Sequence, residues 1–469
     1  IYGNIIYVAE NGNDTNDGDH PQDPYASLTK ALSVAVAGDA IHIFPGTYTE
    51  AFPLTVPAGV TVKGHTLRSV IIKPTTATET KDAFKLNGEV TIEDLTVMDF
   101  YSGYSRYTVT AGGGSSGSVT VNIGVAPQAH TYVSGGKINN TSFSSEVNVT
   151  GATYTHGTGE LVVTYSGTVP TSGQDLMLKD LVFSCASGGN HTYPNNGYAF
   201  KFATDYSVTS RSPYIRNVSV ITKGRTITAS DPRGFASGDA GKGAYIDGAY
   251  AATGSKEASA LFHSVTFITP GVDAVTVKNG SRMEFIDCFT YFANRGVYME
   301  HTLNQYTPSA GSYDPATGVM SLTIGNHSMR VGETITIANN SLTFTCAMDN
   351  HQTDHTYPRS TDPYSGKKVT ITETTATTIT CNVGVSSNTS AHLFKSATAN
   401  AVTEGSMNEV RSIASANVYG NKGIEADGNG CLAYLISHNF AYIGVGKDVT
   451  NDVSLVNQFA EVLESNGAK

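Results

Sequence analysis

The sequence contains no tryptophan, and only 15% of its 469 residues are charged. It carries just five cysteines (Cys185, Cys288, Cys346, Cys381 and Cys431), scattered and without C-x-x-C spacing. An odd, dispersed set reads as buried free thiols rather than a disulfide framework. Positive charge is scarce: the net charge of −11 argues against nucleic acid or an anionic membrane as the main partner, since both require a cationic face. No apolar run approaches eighteen residues, so no stretch reads as a membrane-spanning helix. No signal peptide is visible. The chain opens "IYGNIIYVAE" without methionine and stops at "ESNGAK", which leads us to expect part of a longer polypeptide.

What is abundant is glycine, with 48 residues, together with frequent Ser, Thr and Asn and 25 tyrosines. Gly and Asn punctuate many short strands, a pattern that favours an all-β chain. Tyrosine in such numbers suits both β-sheet packing and a sugar-binding surface. One amphipathic helix is expected, from Ser27 to about Ala37, with Ser27 as N-cap and Leu28, Ala31, Leu32 and Ala35 on one face. A lone helix ahead of a series of strands suggests a cap over the open end of a solenoid, where apolar surface and unpaired backbone would otherwise be exposed.

Further along, one strand motif recurs as "IEDLTV" (92–97), "IRNVSV" (215–220), "FHSVTF" (262–267) and "FIDCFT" (285–290). Each places Asp94, Asn217, Ser264 or Asp287 between apolar residues, and Ser264 and Asp287 stand 23 residues apart, a solenoid-sized period. Asn-Gly turns occur in "KLNG" (85–88) and "VKNG" (277–280), and "IEADGNG" (424–430) is similar. The pattern predicts a right-handed parallel β-helix, with apolar residues inward and small polar residues or glycine at the corners. Asp17–Gly18, Pro24–Tyr25, Ser27–Leu28, Ala31, Gly38–Asp39 and Pro45–Gly46 through Glu50 then carry a resemblance to the N-terminal signature of pectate-lyase-like β-helix proteins. That resemblance implies the fold. It does not imply a reaction, because the fold hosts lyases, hydrolases, epimerases and non-catalytic spikes.

The coil pattern is interrupted at about 101–196 and 303–404, and the interruptions resemble each other. "GATYTHGTGELVVTY" (151–165) matches "AGSYDPATGVMSLTI" (310–324), pairing Tyr154 with Tyr313 and Gly159 with Gly318. "LVFSCASGGNHTYP" (181–194) matches "LTFTCAMDNHQTDHTYP" (342–358), and "VTVNIGVAPQAHTYVS" (119–134) matches "ITCNVGVSSNTSAHLFKS" (379–396). The last unit precedes the others in one interruption and follows them in the second, as though a mobile block had been shuffled. The expected organisation is a cap and first coils at 1–100, a module copy at 101–196, central coils at 197–302, a second copy at 303–404, and C-terminal coils with a terminal helix at 405–469. "YDPATGVMSLTIG", "LTFTC", "HTYPRSTDP" and "NVGVSSNTSAHLF" resemble units of modular, tail-fibre-like virion proteins of marine T4-like cyanophages. This second resemblance implies a structural role.

Three residues in the second copy have ligand-like chemistry: Cys346, His351 and His355 form C-x4-H-x3-H. The first copy keeps Cys185 and His191 but no second histidine, and Cys381 aligns with Val121. The stretch is therefore expected to be a turn with a core cysteine, and no metal or cofactor is expected. "NDTNDGD" (13–19) lacks the register of a calcium loop and reads as a turn. A glycan-cleaving site would need paired carboxylates on the coils, and the weak candidates are Asp239, Asp247, Glu284 and Glu300. Asp231, Arg233, Arg295 and His301 lie in the same stretch, and Asp287 occupies the recurrent corner. The Gly-rich segment 231–248 is the expected place for a surface cleft.

The sequence thus leads us to expect a virion or extracellular rod, homotrimeric by analogy with other β-helix spikes. It would contact other virion proteins and host-surface polysaccharide, with no nucleic acid or membrane partner. A polysaccharide lyase or glycoside hydrolase is the rival expectation, and an adhesin or filament subunit a third.

Overall fold

The computed structural model describes residues 3–442, apart from 76–79, 87, 116, 125–128, 186–189, 194, 203–211, 249–258, 328 and 406; 185, 190 and 191 are described as backbone only. The expected terminal helix lies outside the described residues. The described chain is nearly all β.

Three ladders of parallel strands account for its largest sheet. The first stacks Ile5–Val8, Ala40–Ile43, Thr61–Gly64, the opening halves of Thr91–Met98 and Tyr214–Ile221, then Ser259–His263, Arg282–Ile286, Asn408–Ile413 and Cys431–Ile436. The second runs from Gly46–Glu50 and Val70–Pro74 through the closing halves of those two long strands to Thr266–Ile268 and Asn439–Tyr442. The third joins Leu54–Val56, Phe84–Leu86, Tyr198–Phe202, Lys242–Asp247 and Val275–Lys278 to the ends of Phe289–Glu300 and Ala416–Asp427. Each complete coil visits the ladders in the same order, which is the arrangement of a parallel β-helix. Inward positions stack like on like: Ile41, Val62, Ile92, Ile215 and Phe262 share one register row and are wholly buried. Phe262 stacks on Phe285 at 5.3 Å, and Phe84 on Phe200 at 5.9 Å. A large apolar side chain fully buried in this way contributes roughly 1.5–3 kcal/mol.

From the third complete coil onward, the bend between the first two ladders is made by one left-handed residue per coil. Asp94, Asn217, Ser264, Asp287, Ala414 and Ser437 all have φ between 49° and 60°. Short polar side chains tolerate that conformation because they hydrogen-bond locally. Here they also bond along the stack: Asn217 Nδ2 donates to Asp94 Oδ1 at 2.6 Å, and Ser264 Oγ to Asp287 Oδ2 at 3.2 Å. At Gly64, in the coil before Asp94, a Cβ would lie 2.1 Å from the Asp94 carbonyl oxygen, so the close approach requires glycine.

The helix spans Leu28–Val34, with Ser27 accepting from the Lys30 amide as N-cap. Leu28, Ala31 and Leu32 are buried against the first coil. It stops three residues short of the expected end. Asp39 Oδ2 takes the Val36 amide at 3.0 Å as the chain turns into Ala40–Ile43. The buried Glu50 carboxylate accepts from the Leu28 and Thr29 amides and the Thr29 hydroxyl, closing the helix N-terminus against the sheet.

Two further sheets are wholly antiparallel and have their own hydrophobic clusters. The chain leaves the second ladder at Met98 and joins the third at Tyr198; between these lie Ser105–Gly112, Ser118–Asn122, His130–Asn140, Val147–Thr155, Glu160–Tyr165, Asp175–Cys185 and Asn190–Tyr193. His130–Asn140 pairs with Asp175–Cys185, which pairs in turn with Ser105–Gly112, so six of these strands close into a ring. The second antiparallel sheet occupies Gln305–Glu404, between the third ladder at Glu300 and the first at Asn408.

The two sheets share one pairing register. Val121 lies opposite Leu161 and Val109; Cys381 lies opposite Met320 and Ile371. His130 pairs with Cys185 and Tyr132 with Phe183; His392 pairs with Cys346 and Phe394 with Phe344, with a bulge at the same place in both. The chain order differs, however. The equivalents of the first three strands of the first sheet (Lys368–Thr374, Thr378–Asn382 and His392–Ala397, the last extended by Val402–Glu404) come last in the second. That is a circular permutation: one ring of strands, opened at two different points.

Candidate functional site

The carboxylates expected on the coils are each engaged by neighbours. Asp239 accepts the Arg225 amide and guanidinium at 2.9 and 3.0 Å, while that guanidinium lies 4.2 Å from the Tyr101 ring centroid. Asp247 is 1% exposed and accepts from Tyr245 Oη and Asn279 Nδ2, both at 2.8 Å. Glu300 pairs with Lys278 at 2.6 Å and accepts from Tyr298 Oη at 3.1 Å. Asp247, Lys278, Glu300 and Asp427 follow one another along one register row of the third ladder. Glu284 pairs with Arg282 and stands beside Arg411 on the first ladder. In the 231–248 segment, Asp231 caps the short turn Phe235–Ser237 through the Phe235 and Ala236 amides, and Arg233 lies over the Phe292 ring. Arg295 is held between Asp273 and Glu425. In the 13–19 turn, Asn13 accepts from Thr15, while Asp14 accepts from the Ala26 and Ser27 amides.

Cys346, His351 and His355 do not converge. Cys346 is buried and accepts from the Met348 amide at 3.4 Å and Asn388 Nδ2 at 3.2 Å. His351 sits at φ 61° and turns its Nδ1 to Thr345 Oγ1 at 3.0 Å. His355 is exposed on the strand Asp354–Tyr357. Among the described residues no group of three His, Cys, Asp or Glu side chains is placed to hold a metal ion. Cys381 is fully buried, and its thiol is pushed up to about 12 by burial.

The same neighbourhood contains a cavity of about 490 Å3 at one end of the second antiparallel sheet. Its wall includes Tyr313, Phe344, Tyr357, Val383 and His392, and the register makes these the equivalents of Tyr154, Phe183, Tyr193, Ile123 and His130 of the first sheet. Those five residues line a cavity of only about 10 Å3. The scaffold around both is repeated bond for bond. Tyr154 Oη donates to Gly124 O at 2.9 Å and Tyr313 Oη to Gly384 O at 2.8 Å. Asn122 Nδ2 reaches Thr158 O and Asn382 Nδ2 reaches Thr317 O, both at 3.0 Å. The His130–Tyr154 and Tyr313–His392 rings meet edge to face at 5.6 Å in both.

The described connections around this scaffold also differ. From Tyr193 the first sheet runs directly back to the third ladder at Tyr198, whereas after Tyr357 the second continues through "PRSTDPYSGK" to Lys368–Thr374. That loop places Arg359, Asp362 and Pro363 on the rim. The segment between Gly384 and His392 also has seven residues, against five between Gly124 and His130, and contributes Val385, Ser386, Ser387 and Asn388. Arg359 donates to Asp362 Oδ2 and Oδ1 at 3.3 and 3.1 Å, with its own side chain 63% exposed. His392 Nδ1 donates to Ser390 O at 2.7 Å, which leaves Nε2 of the neutral ring as an acceptor. Tyr193 Oη donates to Ile123 O at 3.1 Å, but the buried Tyr357 Oη has no hydrogen-bond partner among the described residues. Burial raises the Tyr357 phenol. The sequence pointed to this stretch through its cysteine and histidines, whereas the rim is built by Arg359, Asp362 and the serines of "VSSNTS".

Residues 10–83 match a family described as a protein of unknown function, DUF1565. No curated protein sequence matches the chain. Among solved structures, a pectin methylesterase in complex with a hexasaccharide aligns at 13% identity and TM-score 0.29, covering 64% of this chain and 60% of its own. A pectin methylesterase from Erwinia chrysanthemi aligns at 11% identity and TM-score 0.25, covering 64% and 55%. A rhamnogalacturonan lyase aligns at 10% identity and TM-score 0.29, covering 89% and 69%. The alignments span less than two thirds of either methylesterase. All three are parallel β-helix proteins, and likeness at this level bears on neither activity nor substrate.

Proposed function

We propose that this chain is an attachment protein. In this reading it is a right-handed parallel β-helix rod carrying two inserted copies of one small β module. It holds host-surface polysaccharide as part of a phage virion; an extracellular adhesin would bind in the same way. The observation that carries the reading is the duplication itself: one pairing register occurs in two antiparallel sheets whose strands follow in different chain order and join the coils at different corners. A ring that tolerates both openings folds by its own pairing and can be displayed wherever its ends meet the shaft. What favours binding over cleavage is the state of the coil carboxylates. Asp239, Asp247, Glu284 and Glu300 each serve an ion pair or a buried hydrogen bond, whereas the open cavity lies in the second sheet.

The test is to incubate the purified chain with host lipopolysaccharide. Attachment predicts co-sedimentation without new reducing ends or unsaturated uronates, and release of either overturns the reading in favour of a hydrolase or lyase. The proposed homotrimer is checked by mass measurement in solution, where a monomer at micromolar concentration refutes it. Electron microscopy separates virion-attached fibres from long free filaments of an adhesin.

A further inference from the structure

We infer that the cavity at the end of the second antiparallel sheet is a binding site for a neutral sugar ring. The inference rests on the attachment reading and specifies where and what the protein binds. A volume of about 490 Å3 falls within the roughly 300–1,000 Å3 of small-molecule sites, while about 10 Å3 holds no more than a water. The lining is divided as a sugar is divided. Phe344, Met320 and Val383 give an apolar floor on which the C–H face of a pyranose can lie.

The rim supplies donors and acceptors for hydroxyls: the Arg359 guanidinium, the Asp362 carboxylate and the Ser387 hydroxyl. The ion pair on that rim is internally balanced. Arg359 spends two of its N–H groups on Asp362, so the guanidinium is not offered uncompensated to an anionic ligand.

The experiment uses the full chain with methyl glycosides of glucose, galactose and mannose, and with glucuronate and galacturonate, read by saturation-transfer NMR and titration. At least one neutral glycoside is expected to receive saturation at its ring protons. Ser387→Trp, an exposed rim position, fills the mouth and abolishes the transfer, and Arg359→Ala weakens binding about tenfold by removing charge-assisted hydrogen bonds. Both variants must keep the wild-type unfolding transition. Binding confined to the uronates overturns the neutral-ligand assignment. Lipopolysaccharide co-sedimentation that survives in both variants, with glycoside binding unchanged, overturns the location while leaving the attachment reading standing. Absence of both sugar binding and co-sedimentation overturns the attachment reading and the site with it.

Discussion

The two antiparallel sheets pair equivalent residues in the same register, yet the five equivalent wall residues border a cavity of about 10 Å3 in the first and one of about 490 Å3 in the second. The described connections differ as well. Where the first sheet returns to the shaft after Tyr193, the second continues into the loop bearing Arg359 and Asp362. The different chain order leaves the second sheet a loop of its own at this end, which is where binding residues are usually placed.

Removing the equivalent aromatic from each floor should give the largest losses of stability. Phe183 is enclosed by His130, Tyr132 and Tyr193, with ring centroids 5.9–6.2 Å away. Phe344 packs on Phe394 and Tyr313 but borders the open cavity, so it already lacks neighbours on one side. Phe183→Ala is expected to destabilise its sheet by about 4 kcal/mol and Phe344→Ala by about 3 kcal/mol, because the penalty grows with the void left behind and the dispersion attraction forfeited. Hydrogen exchange resolved to each sheet measures the two separately. Equal losses would mean that the cavity does not relax the packing around Phe344.

A second pair should behave identically. Asn122 and Asn382 each link a carbonyl, Thr158 O or Thr317 O, to the amide of Gly124 or Gly384, with matching distances of 3.0 and 2.9 Å. Substitution by alanine should cost about 1.5 kcal/mol in either sheet, from two exposed hydrogen bonds removed. Thermal unfolding of the two variants compares them, and a gap beyond about 0.5 kcal/mol would break the equivalence of the scaffolds.

Much of this architecture was legible in the sequence where local chemistry is obligatory. Ser27 and the Leu28, Ala31, Leu32 face announced the helix, but its end was overestimated because Val36 and Ala37 continue a helical pattern that the Asp39 carboxylate interrupts. The corner was visible at Asp94, Asn217, Ser264 and Asp287, whose polar side chains stand out between apolar neighbours. It was invisible at Ala414, which adopts the same φ of 50° with no side-chain signal and a strain of roughly 1–2 kcal/mol. Aligned strings revealed that Tyr154 matches Tyr313. Ring closure was not legible, because it depends on pairing Ser105–Thr108 with Asp175–Leu178, far apart in the chain. The cavity was hidden for the same reason: its wall draws on several separated segments. The stretch "HTYP" (355–358) read as a turn, but Asp354–Tyr357 is a strand, because its backbone pairs with Leu342–Cys346 across the sheet.

The smallest expected effect is the sharpest discriminator between the two ends. Tyr193 and Tyr357 are equivalent in pairing, each the partner of a leucine, Leu181 or Leu342, on the adjoining strand. Only Tyr193 satisfies its hydroxyl among the described residues, at Ile123 O. Removing a satisfied hydroxyl forfeits a hydrogen bond and leaves a carbonyl unmet, so Tyr193→Phe should cost about 1 kcal/mol. Removing a buried hydroxyl without a partner relieves desolvation instead, so Tyr357→Phe should be neutral or stabilising by up to about 1 kcal/mol. The opposite signs can be read from a single urea titration of each variant against wild type. If Tyr357→Phe destabilises as much as Tyr193→Phe, the Tyr357 hydroxyl has a partner beyond the described residues, and the two tyrosines are equivalent in bonding as well as in pairing.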